Sequence, residues 1–562
     1  MRLLRLALCG VVALSFAACQ DTLVEQNTNA ADRDRALATF ADLEAFLGSG
    51  YTTAHNGTLA GSNDDLQTQL QVMGFENVSG LANFAMGPRG SVPRGTIDNQ
   101  PGGTGDNGNT RDFSVEHRAA RIASISLAAL NVLSSGTPAQ DARDRAFCLF
   151  VRGVALGNLA LAYDSASILS ETDGPEDIIP LSGYQDVMAA ALRDLDSAIA
   201  IIAATPTMPA LPATWINGNA LTGANLVRLI RSYKARFRAD VSRTPADRAA
   251  VDWAAVIADV QNGITADFII NMDPSSGWDV IWPAQAFATG SASWGQMHQF
   301  IMGMADTSGS YDAWLALPRT SRAPFVVATP DLRLPQGTSR TAQNADARAG
   351  FGQFYVSGGT NPGRPYMRNR PAGEDAPQDP FGMSFYDWWR TRGFFAASPT
   401  RTGPYPIMTR AEQHLLQAEG YLRQGQFALA IPLINETRAD TLRGGLPAIP
   451  LTVADTVTQV PGGTACVPRV PDIAQSFKGT KCGNVWDALK WEYRLETAFA
   501  GYGRWYFAAR GWGDLPEGTA IHWPVPNKEM LTRQQAFYGM GGVGLPGGSA
   551  KGNYGLFSGG VY

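Results

Sequence analysis

The chain has 562 residues, 45% of them hydrophobic, which is enough apolar material for a large buried core and more than one structural region. Its formal charge is −5 and no basic run stands out, which argues against nucleic acid as a partner. Its 60 glycines and 34 prolines exclude a purely helical architecture, so long irregular loops must share the chain with any helices.

The N-terminus opens with Arg2 and Arg5, followed by an apolar run from Leu6 to Phe16. That run suits a signal peptide and is too short to span a bilayer. Ala17, Ala18 and Cys19 follow, a junction that resembles a bacterial lipoprotein signal. Cleavage ahead of Cys19 leaves residues 1–18 as the signal peptide, Cys19 as the lipidated residue and residues 19–36 as a tether. The competing reading is a secreted protein cut after a small residue. No later stretch of eighteen apolar residues is present, so the expected mature chain is anchored to a membrane rather than threaded through it.

Beyond the tether, Leu37, Phe40, Leu43 and Leu47 recur at helical spacing. Residues 50–112 are rich in Gly, Asn, Ser and Pro and read as loops with short extended pieces. A helical series follows over about 113–266. In SVEHRAARIASISLAALNVL, Val115, Ala119, Ile122, Ile125, Ala129 and Leu133 form an apolar stripe. DARDRAFCLFVRGVALGNLALAYDSA is apolar around most of its girth and predicts a central helix, with Cys148 as a buried small hydrophobe. YQDVMAAALRDLDSAIAII, NLVRLIRSYKARFRADVS and DWAAVIADVQNGI continue the series.

Over about 407–440, RAEQHLLQAEGYLRQGQFALAIPLINETR places Ala418, Tyr421, Gly425, Phe427 and Ala430 in the pattern of a tetratricopeptide helix–turn–helix. A weaker second copy surrounds ARFRADVSRTPADRAAVDWAAVIADV. Between the helical blocks lies an insertion of about 270–405, loop-like and aromatic-rich. Residues 442–484 are again irregular and hold Cys466 and Cys482. In a compartment that permits disulfides these two are expected to pair; a zinc site would need a second cysteine pair or a histidine cluster, and none accompanies them. Helical character returns at VWDALKWEYRLETAFAGYGRWYFAARG, and the Gly-rich tail of residues 539–562 reads as a partly ordered surface segment.

Taken together, these segments resemble the SusD/RagB family of outer-membrane nutrient-binding lipoproteins. The resemblance rests on the Cys19 region followed by DLEAFLGSGY, on RLETAFAGYGRWYFAARGWG near the C-terminus, and on IHWPVPNKEM after it, in that order. It spans nearly all of the mature sequence. It implies a mainly α fold, a tetratricopeptide-like helical-repeat scaffold with large irregular insertions, within a single domain of residues 37–538 whose C-terminal signature covers about 485–530. It also implies a non-catalytic binder on the outer face of the outer membrane. Such a protein takes an oligosaccharide or peptide ligand and passes it to a SusC-like TonB-dependent transporter. The alternative is a surface-anchored helical-repeat scaffold that binds protein alone.

Two groups of residues compete as the ligand site. Glu492, Arg494, Glu496, Arg504 and Arg510 are spaced regularly along an aromatic helical stretch and read as structural ion pairs. The insertion rings are the better candidates, because sugars stack their C–H faces on flat rings and need planar polar groups nearby. These are Trp278, Trp282, Trp294, Tyr311, Trp314, Tyr386, Trp388 and Trp389, with Arg390, Asp279, Gln296 and Asp312 as polar partners. In an extended strand Trp388 and Trp389 point to opposite sides. No catalytic residue, cofactor or metal is expected. The five histidines are scattered, and neither HExxH, GxSxG nor P-loop spacing occurs. Carboxylate neighbours such as Asp64 and Asp65 are ordinary surface features, and loop aspartates show no EF-hand spacing.

Overall fold

The computed structural model describes residues 37–59, 65–78, 85–174, 177–280, 296–346, 348, 365–375, 382–390 and 400–562. Cys19, Asp64, Trp282 and Trp294 lie outside them. Helices α1 (Phe40–Gly48), α2 (Gly50–Thr58) and α3 (Leu66–Met73) come first. The long helices α4 (Asp106–Ala129), α5 (Pro138–Ala162), α6 (Tyr184–Ala204) and α7 (Gly223–Asp240) follow, with the shorter α8 (Trp253–Gln261) after them. Their starts are set locally. Thr39 and Asp42 form a capping box for α1, Pro138 occupies the first turn of α5, and Thr222 and Asp252 accept first-turn amides of α7 and α8.

The stretch of residues 50–112, expected as loops, contains α2, α3 and the start of α4. The composition misleads because tertiary burial supports helices there that propensity does not. In α3 every residue is buried, and Gln67 is satisfied by distant backbone: Gly503 N–H donates to Gln67 Oε1 at 2.8 Å, and Gln67 Nε2 donates to the Gly501 carbonyl at 3.3 Å.

Helix α2 packs on α4, α4 on α5, α5 on α6, α6 on α7 and α7 on α8. The series continues through α9 (Arg410–Arg423) and α10 (Phe427–Arg438), with α8 against α9. This is a tetratricopeptide-like helical stack interrupted by the insertion. Gly425, at φ +71°, makes the α9–α10 turn, and Ala418 and Ala430 are fully buried. A close approach of α8 to α9 is at a different residue. A Cβ on Gly420 would stand 2.9 Å from Ile257 Cγ1. Tyr421 faces α8 as well, where its hydroxyl accepts from Gln261 Nε2 at 3.1 Å.

Helix α5 is long and apolar enough to cross a bilayer, yet 89% of its apolar window is enclosed by the surrounding protein, which makes it the core of the stack. Cys148 is buried within it as a free thiol. Its C-terminal carbonyls receive the guanidinium of Arg243, which donates to Ala160 O at 2.6 Å, Tyr163 O at 3.0 Å and also to Leu161 O. A cation there complements the negative end of the helix.

The insertion is not merely loops. Within it β1 (Phe268–Met272), β2 (Gln296–His298), β3 (Met367–Asn369), β4 (Met383–Trp388) and β5 (Gly403–Met408) make two antiparallel sheets, β1 with β5 and β2–β4–β3 in that order. Farther on, β6 (Arg469–Pro471) pairs with β7 (Thr480–Cys482). Cys466 and Cys482 are bonded beside this hairpin, with Cα atoms 5.8 Å apart and a sequence separation of 16. A loop of that size restricts the unfolded chain by about 3 kcal/mol. The double variant Cys466→Ser/Cys482→Ser is therefore expected to unfold at lower denaturant by that amount in an equilibrium urea titration.

The C-terminal signature forms α11 (Val485–Thr497) and α12 (Arg504–Trp512), with α11 against both α9 and α10. Its charges are buried and paired. Arg333 Nη2 donates to Glu492 Oε1 at 2.9 Å, Arg494 reaches Asp514 at 2.9 Å and Arg504 reaches Asp240 at 2.6 Å. Arg510 donates to the carbonyls of Asp240 and Ser242 at 2.8 and 3.1 Å. The Gly-rich tail also differs from expectation. Met540–Gly541 pairs with Thr96–Ile97, and Tyr554, Leu556 and Val561 are buried, so its apolar side chains tie it into the core.

Candidate functional site

Strand alternation along β4 sorts the insertion's rings. Tyr386 and Trp388 point inward and are fully buried. The Tyr386 hydroxyl accepts from Val327 N at 2.8 Å and donates to Gln343 Oε1 at 2.8 Å. Trp388 packs against Tyr366 and Phe499, with ring centroids 5.7 and 5.9 Å away. Phe385 and Trp389 lie on the opposite side and remain half-buried.

Each of these two outer rings carries a guanidinium. Arg340 stands 4.1 Å from the Phe385 centroid and Arg368 stands 4.4 Å from the Trp389 centroid. Both arginines are held in place. Arg340 Nη1 donates to Asp375 at 2.7 Å and its Nε to Asn369 Oδ1 at 3.2 Å. Arg368, directly across the ladder from Asp387, donates to it at 3.0 Å and also pairs with Glu374. Burial pushes the Asp387 carboxyl above the usual range, while Arg370 and Arg368 pull it back. The result is a face with two half-buried aromatic rings, two fixed planar cations and adjacent carboxylates.

Arg390 turns to the other side of the strand. It is buried, stacks 4.3 Å over Tyr366 and pairs with Glu496 at 3.2 Å. Glu496 also receives Tyr366 Oη at 3.0 Å, Arg443 at 3.4 Å and Arg333 at 3.5 Å. Burial raises this carboxyl most strongly, but the surrounding arginines, Arg390 first, hold it below its ordinary value. Arg390, Arg443 and Glu496 line a polar cavity of about 270 Å³, bordered by Asp267 and Arg410.

Within the described residues, Trp278, Tyr311 and Trp314 are corrected to core positions. Trp278 is 2% exposed and packs on His55 and Tyr51, with centroids 5.2 and 6.1 Å away. Tyr311 is fully buried and donates to the Phe300 carbonyl at 2.8 Å, while Trp314 lies under Arg322, 4.5 Å above its ring. With Tyr386 and Trp388, these side chains have given both faces to internal packing, which removes them as stacking platforms. Asp279 is taken up by Arg401 at 2.7 Å and Gln296 is buried in β2. Of the predicted rings within the described residues, Trp389 is half-buried rather than buried. Sequence reasoning missed Phe385, Arg340 and Arg368. The signal was present in FYDWW, whose period of two places Phe385 and Trp389 on one face.

Among the described residues no cluster of His, Cys, Asp and Glu suits a metal ion. The chemistry on offer at the β4 face is stacking and charge-assisted hydrogen bonding.

No family profile and no curated protein matches the sequence. Solved structures do match. A SusD superfamily protein from Bacteroides vulgatus ATCC 8482 aligns with a TM-score of 0.51 at 15% identity, over 88% of this chain and 96% of that one. Another from Parabacteroides distasonis ATCC 8503 aligns with a TM-score of 0.50 at 10% identity, over 88% and 97%. Over most of its length the chain thus has the SusD-like fold.

Proposed function

We propose that the chain is a non-catalytic, lipid-anchored protein of the outer membrane that captures a nutrient oligomer, a glycan before a peptide, and hands it to a SusC-like TonB-dependent transporter. The observation that carries the ligand class is the β4 face. Phe385 and Trp389 contribute half-buried rings, and Arg340 and Arg368 contribute planar hydrogen-bonding groups held in place by Asp375 and Asp387. A pyranose needs both: an apolar C–H face for a ring and hydroxyls that pair in the plane. Side chains already held by ion pairs lose little freedom on binding, which favours affinity.

The anchoring and the transporter partnership find support in the Cys19 junction and in the SusD-like fold. A lipid at Cys19 would confine the binder to the transporter's membrane, raising the effective concentration of the pair without any new contact.

The test is calorimetric titration of the purified chain with hexaoses of maltose, laminaribiose, xylobiose and cellobiose type, alongside peptides. At least one is expected to bind without product formation, and Trp389→Ala is expected to weaken it by about tenfold or more. Hydrolysis of a bound oligosaccharide would refute the non-catalytic reading. A protein that ignores every glycan and peptide would favour the protein-scaffold alternative.

A further inference from the structure

A cavity of about 340 Å³, sharing no residue with the β4 face, opens on the side of α4. That volume lies within the range of small-molecule sites. Three arginines from two distant parts of the sequence line it. Arg118 and Arg121 are neighbours one turn apart on α4, and Arg533 follows the short helix α13 (Asn527–Thr532).

The cavity has a built floor. His117 Nδ1 meets the Phe113 carbonyl at 2.8 Å, and its Nε2 meets the Ser167 backbone N–H at 3.2 Å. A carbonyl only accepts and an amide only donates, so the ring is the neutral tautomer with its proton on Nδ1, and both nitrogens are used. Arg533 has a side chain 9% exposed. Its Nε donates to Glu529 at 2.8 Å and its Nη2 to Ser167 Oγ at 2.9 Å. Arg121, half-buried, donates through Nη1 to the Asp173 carbonyl at 3.1 Å and to the Gly174 carbonyl at 3.4 Å.

What remains over is donor capacity. Among the described residues Arg118 has no hydrogen-bond or ion-pair partner, Arg121 has no carboxylate partner, and Arg533 Nη1 has no acceptor. The described lining sets three guanidinium groups against two carboxylates. Glu529 is committed to Arg533, and Asp177 accepts the Gly174 N–H at 2.6 Å. Arginine stays charged at any physiological pH, and its planar fork pairs with the oxygens of phosphate or sulfate.

We propose that this cavity binds a phosphate or sulfate group, with Arg118, Arg121 and Arg533 as its donors. The same chemistry has two sources, a soluble ester or a membrane headgroup. The site is separate from the β4 face, and either is able to fail without the other.

The experiment titrates the full mature chain calorimetrically with sodium phosphate and with sodium sulfate. Vesicles of phosphatidylglycerol, against phosphatidylcholine as the control, supply the headgroup arm by co-sedimentation. Saturable binding of at least one anionic probe is expected, weakening as sodium chloride is raised. Arg118→Gln and Arg533→Lys are each expected to weaken it by about tenfold, the first by removing a charge and the second by removing the fork. Arg118 is exposed and has no partner among the described residues, so Arg118→Gln is expected to fold as the wild type does, which circular dichroism checks. A response to phosphate or sulfate that these variants weaken supports the site with a soluble source. A response to phosphatidylglycerol alone, weakened in the same way, supports it with a headgroup source. Binding that both variants leave unchanged overturns the site, as does the absence of binding to every probe. Glu176 lies outside the described residues and is tested directly. Binding that appears only in Glu176→Gln would mean that this carboxylate already occupies the arginines, and it too overturns the site.

Discussion

Replacing Glu419 with alanine is expected to destabilise the protein by about 3–5 kcal/mol, the usual consequence of stranding a buried charge. Glu419 is 1% exposed on α9 and accepts both Nε and Nη2 of Arg248, at 2.8 and 2.7 Å. Arg248 is fully buried and turns to Asp240 of α7 at 3.1 Å. Asp240 holds Arg504 of α12 at 2.6 Å; Arg504 stands 3.6 Å from Glu412, and Glu412 takes Arg236 at 2.6 Å. Charges alternate along this chain, so each member is desolvated on condition that its neighbours stay. Removing Glu419 leaves Arg248 with one carboxylate that Arg504 already shares. The same pair predicts a pH signature. Burial raises the Glu419 carboxyl, but Arg248, followed by Arg423, overrides it and brings it from 4.5 down to about 2. A carboxylate depressed on folding contributes stability above its unfolded value and loses it as pH falls through the folded one. That interval corresponds to about 3 kcal/mol at roughly 1.4 kcal/mol per pH unit. Urea titrations at pH 7 and pH 3 should show the wild type losing stability across this window. The gap between wild type and Glu419→Ala should narrow accordingly.

That network also marks how far the sequence could be read. The regular spacing of Glu492, Arg494, Glu496, Arg504 and Arg510 identifies a structural ion-pair segment. Their partners Arg333, Asp240 and Asp514 come from as far as 270 residues away, and no local pattern announces them. Helices with a clear period, such as α6 and α7, are legible because one face is buried and the other is solvated. Helix α3 is not, because all of it is buried and its alternating glutamines mimic a polar loop. The insertion shows the converse problem. Eight large rings in a region without helical periodicity suggest an exposed cluster. The region instead builds small sheets of its own, and Tyr386 and Trp388 fill the space beneath them. The pleat argument at Trp388 and Trp389 separates inward from outward where composition does not. The Gly-rich tail is read as a surface segment for the same reason. Its few apolar residues, Tyr554, Leu556 and Val561, decide its course, and glycine content hides them.

Glu76→Gln should stabilise the protein at alkaline pH and leave it unchanged in acid. Glu76 follows α3, is 1% exposed, and accepts the Phe499 N–H at 2.6 Å. Phe499 has φ +57°, a conformation that a non-glycine residue holds only when its surroundings enforce it, and its ring packs on Trp388 behind the β4 face. Burial is the dominant influence on this carboxyl and raises it from 4.5 to about 8; the Phe499 amide and the charge of Arg504 oppose the rise without cancelling it. The sign follows directly. An acid whose folded value is raised favours folding while both states are protonated, below about 4.5, and penalises the folded state as pH climbs toward 8. At roughly 1.4 kcal/mol per pH unit the penalty at pH 8 amounts to about 3–5 kcal/mol. Glutamine keeps the carbonyl acceptor for Phe499 and removes the titration. Burial also raises Asp112 and Glu116, so both proteins should weaken with pH, and the difference between their unfolding curves isolates Glu76. That difference should be near zero at pH 4 and grow steadily to pH 8, with the variant more stable. Parallel curves would mean that Glu76 enters the folded protein already ionised. The clamp on Phe499 would then be an ionic one.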